Sequence, residues 1–230
     1  MKTTQSLFVC MLCMLLTTTL VGCRKGTGRT LTSATGSVYE CLVVMNDVPL
    51  TQEQLNEVAK LSLVNMASGY AKQIATTYDL VDAVMAADMP CMPQVEPYFR
   101  ITNVSMSHFD DMFKPTRNIL FVDINPQKYT QLKTKVSRDY WSKPQAVCRI
   151  QSPSQEDFVA YWLAHGEEIR EWFVGQEIQR QTKFYRASTN KDARALMQKQ
   201  GYDMLIPEDY IVLMDTVLAG ATTYSLRQPI

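Results

Sequence analysis

The sequence predicts an α+β fold: a mixed, largely antiparallel sheet with helices packed on one face, for which ferredoxin-like units are a fitting arrangement. Three observations carry this. Short apolar runs with strand character stand at residues 38–45 and 118–124. One long stretch from Ser154 repeats its apolar residues at helical spacing. Strand and helix signals are mixed rather than strictly alternating along the chain.

In chain order, Val38 to Met45 is a strand, and its unbroken run of apolar residues marks it as central. Asn46-Asp47-Val48-Pro49 ends it. Thr51 caps a helical stretch with Leu55, Val58, Leu61, Leu63, Met66 and Tyr70 on one stripe, weakened by Gly69, and a second helical piece runs from Tyr78 to Ala87. Residues 89–97 hold three prolines and form a stiff connection rather than a helix. A strand follows at Tyr98 to Asn103, then a short helix from Ser105 or Ser107 through Phe113, stopped by Pro115.

Asn118 to Ile124 is the clearest strand. Tyr129 to Tyr140 alternates apolar and charged residues as a half-buried strand and pairs antiparallel with Ala146 to Gln151, with Trp141-Ser142-Lys143-Pro144 as the connection. Ser154, with Asp157 three residues on, caps the longest helix. Its stripe is Phe158, Trp162, His165, Ile169, Trp172 and Phe173, and it runs to about Tyr185 with a bend or fraying near Gly166 or Gly175. Asn190 caps a shorter helix to Gln200, ended by Gly201. Tyr202 to Ile206 and Tyr210 to Met214 read as a strand pair around Pro207, and beyond Thr216 the pattern fades.

The first 22 residues have the parts of an export signal: Lys2, an apolar core from Leu7 to Leu16, and a small-residue exit. That core is too short to span a bilayer, which takes about 20 apolar residues. Leu20-Val21-Gly22-Cys23 resembles the lipobox of bacterial lipoproteins, so Cys23 is expected to carry a diacylglyceryl group and to become the mature amino terminus. Two or three acyl chains give a lasting membrane anchor. Arg24 follows Cys23 where inner-membrane lipoproteins often carry aspartate, which favours the outer membrane. The basic leader Arg24 to Thr30 lacks the acidic residues of a surface-export signal, which favours a periplasm-facing protein.

The expected division is therefore a signal peptide at 1–22, a flexible Gly/Ser/Thr-rich tether at 23–36, an α+β domain at 37–215 and an irregular tail at 216–230. Removing the signal takes away one charge, Lys2, and leaves 22 basic and 23 acidic residues. Such a balance supplies no field to gather nucleic acid.

Cys41, Cys91 and Cys148 remain in the mature chain beside Cys23. Cys41 and Cys148 each lie in an apolar run. They read as buried thiols behaving as small hydrophobes, or, more sharply, as a bridge between adjacent strands with Cα atoms within about 7 Å. None has metal-ligand spacing, and no cofactor motif is read.

Candidate chemistry is thin. His165, on the apolar stripe, reads as a packed core residue, and His108 as a surface or capping residue. The pairs Asp110-Asp111 and Glu167-Glu168 point in different directions on a helix and read as solvated faces. Gly26-Thr27-Gly28 precedes no strand-to-helix turn and is no phosphate cradle. Asn103-Val104-Ser105 and Asp215-Thr216-Val217 match short glycosylation triplets that arise often by chance. Tyr140, Trp141 and Lys143 either form an exposed aromatic platform for a sugar or partner or cover a strand end, the second being favoured.

Taken in order, Glu40 to Met45, Pro93-Gln94 with Glu96-Pro97, Phe109, Arg117-Asn118-Ile119 with Asp123-Ile124, Pro144-Gln145, and Pro207 with Tyr210 resemble a Bacteroidetes lipoprotein family, the domain of unknown function (DUF) 4837. The resemblance covers about residues 38–214 and implies an exported lipoprotein with no catalytic residue to carry over. The chain departs from it in lacking a tryptophan after Met45. The relatives also continue into more α+β structure, so this chain reads as shortened, with an unpaired strand edge near its end.

The expectation from sequence is a non-catalytic, lipid-anchored module that binds an envelope protein or component. An envelope hydrolase with an unrecognised site and a glycan-binding module stand as the alternatives.

Overall fold

The computed structural model describes residues 31–60, 74–218 and 221–227. The expected helical positions Leu61, Leu63, Met66, Gly69 and Tyr70 lie outside the described residues. The elements in chain order are β1 (Thr32–Ser33), β2 (Glu40–Met45), α1 (Gln52–Lys60), α2 (Thr77–Met85), β3 (Arg100–Val104), β4 (Asn118–Ile124), β5 (Lys133–Arg138), β6 (Ser142–Lys143), β7 (Ala146–Ser152), α3 (Gln155–Ala187), α4 (Lys191–Lys199), β8 (Ile211–Leu218) and β9 (Ala221–Arg227).

The class is α+β, built on a mixed five-stranded sheet of order β3-β2-β4-β7-β5. Its sense corrects the sequence expectation. β2 pairs parallel with β3 and β4, and β4 parallel with β7; only β5 runs antiparallel, against β7. The sheet is thus largely parallel with one antiparallel edge, which departs from the antiparallel ferredoxin-like arrangement. The physical reason is burial on both faces, which parallel strands undergo and which turns them into continuous apolar runs.

Alternation sorts each central strand between the two faces. Cys41, Val43 and Met45 of β2, Leu120 and Val122 of β4, and Ala146, Cys148 and Ile150 of β7 form one core with Leu80 and Val84 of α2 and Phe158, Trp162 and Phe173 of α3. Leu42, Val44, Ile119, Phe121 and Val147 face the other way and meet Met106, Phe109, Phe113 and Trp141. Helices cover one face, as expected, and the second is closed by the connection between β3 and β4. The helix expected there is a single 3-10 turn, Met106–His108, followed by turns.

Capping fixes the helix starts. Ser154 accepts from the Asp157 backbone N–H, as read from the sequence. Thr76 and Asp79 make a full capping box at α2, a signal passed over in the sequence. α3 continues unbroken through Gly166 and Gly175 to Ala187. Asn190 caps α4, and Gly201 follows it with a φ of +85°.

Three boundaries move. Thr32 and Ser33, expected in the tether, pair parallel with Ser142 and Lys143. β5 is an exposed edge strand rather than half-buried, with Val136 49% exposed. Residues 202–206 form no strand; β8 pairs instead with β9, so an ordered hairpin occupies the stretch expected to be an irregular tail. Ala193, Met197 and Ile206 make a small separate core near it.

Candidate functional site

The chemistry concentrates where the parallel strands begin. α3 carries Glu177 four residues after Phe173 on the same buried face, and Glu177 has no exposed surface. A carboxylate there is tenable only if its oxygens are filled by donors. Arg117, just before β4, forks onto it, with Nε donating to Oε1 at 3.0 Å and Nη2 to Oε2 at 2.7 Å. Oε1 also accepts from Asn118 Nδ2 at 2.7 Å and from Arg180 Nη2 at 3.0 Å. Asn118 Nδ2 donates as well to the Glu40 carbonyl at 2.8 Å, and Arg180 reaches the Arg117 carbonyl and Asn118 Oδ1. One carboxylate is thus shared by two guanidiniums, and α3 is bound to the starts of β2 and β4.

Desolvation lowers the Arg180 pKa, opposed in part by Glu177 and reinforced by the like charge of Arg117. Burial raises that of Tyr39, with Glu177 adding to it. Arg180 Nε is buried without a partner.

Arg180 also lines a hollow of about 280 Å³ on the adjoining surface, with Arg138, Lys143, Gln179 and Lys183. Arg138 Nε donates to Gln176 Oε1 at 2.6 Å. Gln145 shapes the same corner: its Oε1 accepts from the Trp141 N–H at 2.8 Å, and its Nε2 donates to the carbonyls of Lys114 and Thr116.

A larger groove of about 790 Å³ runs between α1 and the first turns of α3, with Glu53, Glu57 and Glu156 on its walls and Val159 and Leu163 on its floor. Glu57 is held by Lys60 at 2.6 Å, and Gln155 ties the two helices through Gln54 and the Pro49 carbonyl.

The residues singled out from the sequence are scattered. Cys41 and Cys148 are buried, face the helices and are free. β4 lies between their strands, which sets them roughly two strand spacings of about 4.8 Å apart; the bridge between adjacent strands is ruled out. Burial pushes the Cys148 thiol up to about 12, and Cys41 rises further by burial and the nearness of Cys148.

His165 is not a core residue: its side chain is 45% exposed and meets Glu168 Oε2 at 3.1 Å beside the Tyr161 ring. His108 is exposed, with Nδ1 2.6 Å from Ser105 Oγ, a local contact across one turn. Asp110 accepts from the Met112 N–H and Asp111 pairs with Lys114. Glu167 and Glu168 are exposed on α3. Trp141 packs on the second sheet face against Phe121, whereas Tyr140 is 45% exposed, and the Arg149 guanidinium stands 4.5 Å and 5.1 Å from the Tyr140 and Trp141 ring centres. Trp141 covers the sheet, in line with the favoured reading, while Tyr140 and Lys143 stay exposed.

Among the described residues no three His, Cys, Asp or Glu side chains gather as a metal site, and no helix is long and apolar enough to cross a membrane. Cys23 lies outside the described residues.

Sequence reasoning quoted Arg117-Asn118 only as part of a resemblance and missed Glu177 and Arg180. Their signal was present: Glu177 continues the stripe of Trp162, Ile169 and Phe173, and Arg180 follows one turn later.

No curated protein and no solved structure matches the chain. A family model does, over residues 59–186, a span that takes in the Arg117–Glu177–Arg180 cluster and every cation of the neighbouring hollow. An uncharacterised domain is what the sequence resemblance implied, under a different number: the chain belongs to the family described as Domain of unknown function (DUF8532).

Proposed function

We propose that the protein is a lipid-anchored lipoprotein of the cell envelope, held in the outer membrane through Cys23 and facing the periplasm, whose domain is a non-catalytic binding or structural module. The observation that carries this is Leu20-Val21-Gly22-Cys23, three threonines after a ten-residue apolar core. The way polar groups are used in the domain supports the second half. Glu177 has its oxygens filled by Arg117, Asn118 and Arg180, and the two histidines make local contacts on their own turn or helix. A kinship with the Bacteroidetes lipoproteins of DUF 4837 belongs to the same proposal and rests on the order of the short motifs from Glu40 to Tyr210.

Mass spectrometry of the protein purified from membranes tests the anchor. The mature terminus at Cys23 should carry acyl chains, and Cys23→Ser should move the protein out of the envelope fraction. An unmodified terminus, or a Cys23→Ser protein that still sediments with membranes, overturns the reading.

The hydrolase alternative keeps one specific observation, the groove with Glu53, Glu57 and Glu156. It predicts turnover of generic ester, peptide or glycoside substrates by the purified protein, abolished by glutamine at one of these positions.

A further inference from the structure

Beside the buried carboxylate, cations collect with little to balance them. The hollow of about 280 Å³ is lined by Arg138, Lys143, Arg180 and Lys183, and by one carboxylate, Asp139. Asp139 Oδ1 already accepts from the Gln145 N–H at 3.1 Å, and its Oδ2 is 3.8 Å from Lys143 Nζ. Behind the hollow, Glu177 is divided between Arg117 and Arg180, so it neutralises one of the two guanidiniums and not both. Arg180 Nε is buried with no acceptor. Guanidinium and ammonium groups arranged around one small space suit an oxyanion, whose several oxygens take charged hydrogen bonds from more than one direction. The volume is at the small end of ligand pockets, about 300 Å³, which fits a phosphate group and its immediate substituent.

The place of the hollow adds a source. Thr32 and Ser33 pair with Ser142 and Lys143, and the Ala34 N–H donates to the Lys143 carbonyl at 3.0 Å. Lys143 therefore stands where the chain enters the domain. Ser33 lies ten residue steps beyond Cys23, a span of at most about 33–36 Å when extended. An anchored protein keeps this hollow within reach of a headgroup layer.

We propose that the hollow between α3 and the β6 corner binds a phosphate-bearing anion. This deepens the lipid-anchored binding-module reading and rests on it for the source of the phosphate, a phospholipid headgroup or a free phosphorylated solute.

The test uses the whole mature chain, residues 23–230 with Cys23→Ser, so that no acyl chain contributes. Inorganic phosphate and pyrophosphate are titrated in against sodium chloride at equal ionic strength, following the arginine Nε–H resonances by NMR. The expected result is a saturable shift with the phosphates alone, weakened about tenfold or more in Lys143→Gln/Lys183→Gln, which removes two charged donors. Both lysines are exposed, so the variant keeps its fold.

Vesicles then separate the sources. Sedimentation with phosphatidylglycerol but not phosphatidylcholine vesicles, lost in the same double variant, assigns the headgroup. Phosphate binding without vesicle binding assigns a solute. Equal shifts with chloride overturn the site, as does a double variant that binds phosphate undiminished. So does vesicle binding that survives in that variant and disappears when Arg24, Lys25 and Arg29 are changed to glutamine. None of these failures touches the anchor, which is judged separately by the state of Cys23.

Discussion

Replacing Glu177 by alanine would leave the largely covered guanidiniums of Arg117 and Arg180 side by side without the carboxylate that both bond. Breaking a buried pair in this way costs about 3–5 kcal/mol, and urea unfolding should report that loss, with Glu177→Gln losing less because Oε1 remains an acceptor. The buried thiols give a second test. The folded state holds the Cys148 proton up to about 12 and that of Cys41 higher. Above the ordinary thiol value of about 8.5 the unfolded chain releases protons that the folded chain keeps. Stability therefore falls with rising pH, by roughly 1–1.5 kcal/mol per pH unit for each thiol. Cys41→Ala/Cys148→Ala should flatten that slope. Ellman's reagent should meanwhile find only the exposed Cys91 in the native mature chain, residues 23–230 with Cys23→Ser. Burial of these thiols was legible from their apolar runs. The charge cluster was not, because periodicity says which way a side chain faces and is silent on a partner 60 residues away, as Arg117 is from Glu177.

At the scale of elements, the two glycines of α3 predict opposite outcomes. A Cβ at Gly175 meets nothing within 4 Å, so Gly175→Ala should raise stability by about 1 kcal/mol through helix propensity. A Cβ at Gly166 stands 3.0 Å from Trp162 Cε2. Trp162 is fully buried and donates through Nε1 to the Leu80 carbonyl, so it has no room to give way. Gly166→Ala should cost about 1–3 kcal/mol by overpacking; thermal unfolding of the pair separates the two. The existence and type of β2, β4, β7 and α3 were legible because each has a strong apolar period. The parallel sense was not, although the unbroken runs in β2 and β4 carried it. Strand order depends on how α1 and α2 carry the chain from β2 to β3, and no local pattern encodes that crossover. The β8–β9 hairpin escaped notice because its pairing partner lies further along the chain than the nearer, proline-flanked segment that was read in its place.

For the molecule as a whole, stability is unevenly spread. The five-stranded sheet, α2 and the first half of α3 share one large core, whereas α4 contributes Ala193 and Met197 to a small separate core with Ile206. Local opening follows buried apolar contact. Native-state hydrogen exchange should therefore show α4 opening well below the free energy that protects β2, β4 and β7. Equal protection across both would contradict this division.

The ionic joint between α3 and the strand starts has a consequence for how the parts find one another. A smooth apolar rod of thirty-three residues could lie on the sheet rotated by a residue or displaced by a turn at modest loss. The carboxylate of Glu177 removes that latitude. Each residue of displacement turns the helix by about 100° and shifts it by about 1.5 Å, which carries the acid, with Arg180 on the same helix, away from Arg117 and Asn118 and into hydrocarbon. Only one azimuth and one height satisfy the three donors offered by Arg117 and Asn118, so docking selects a single seating for the helix.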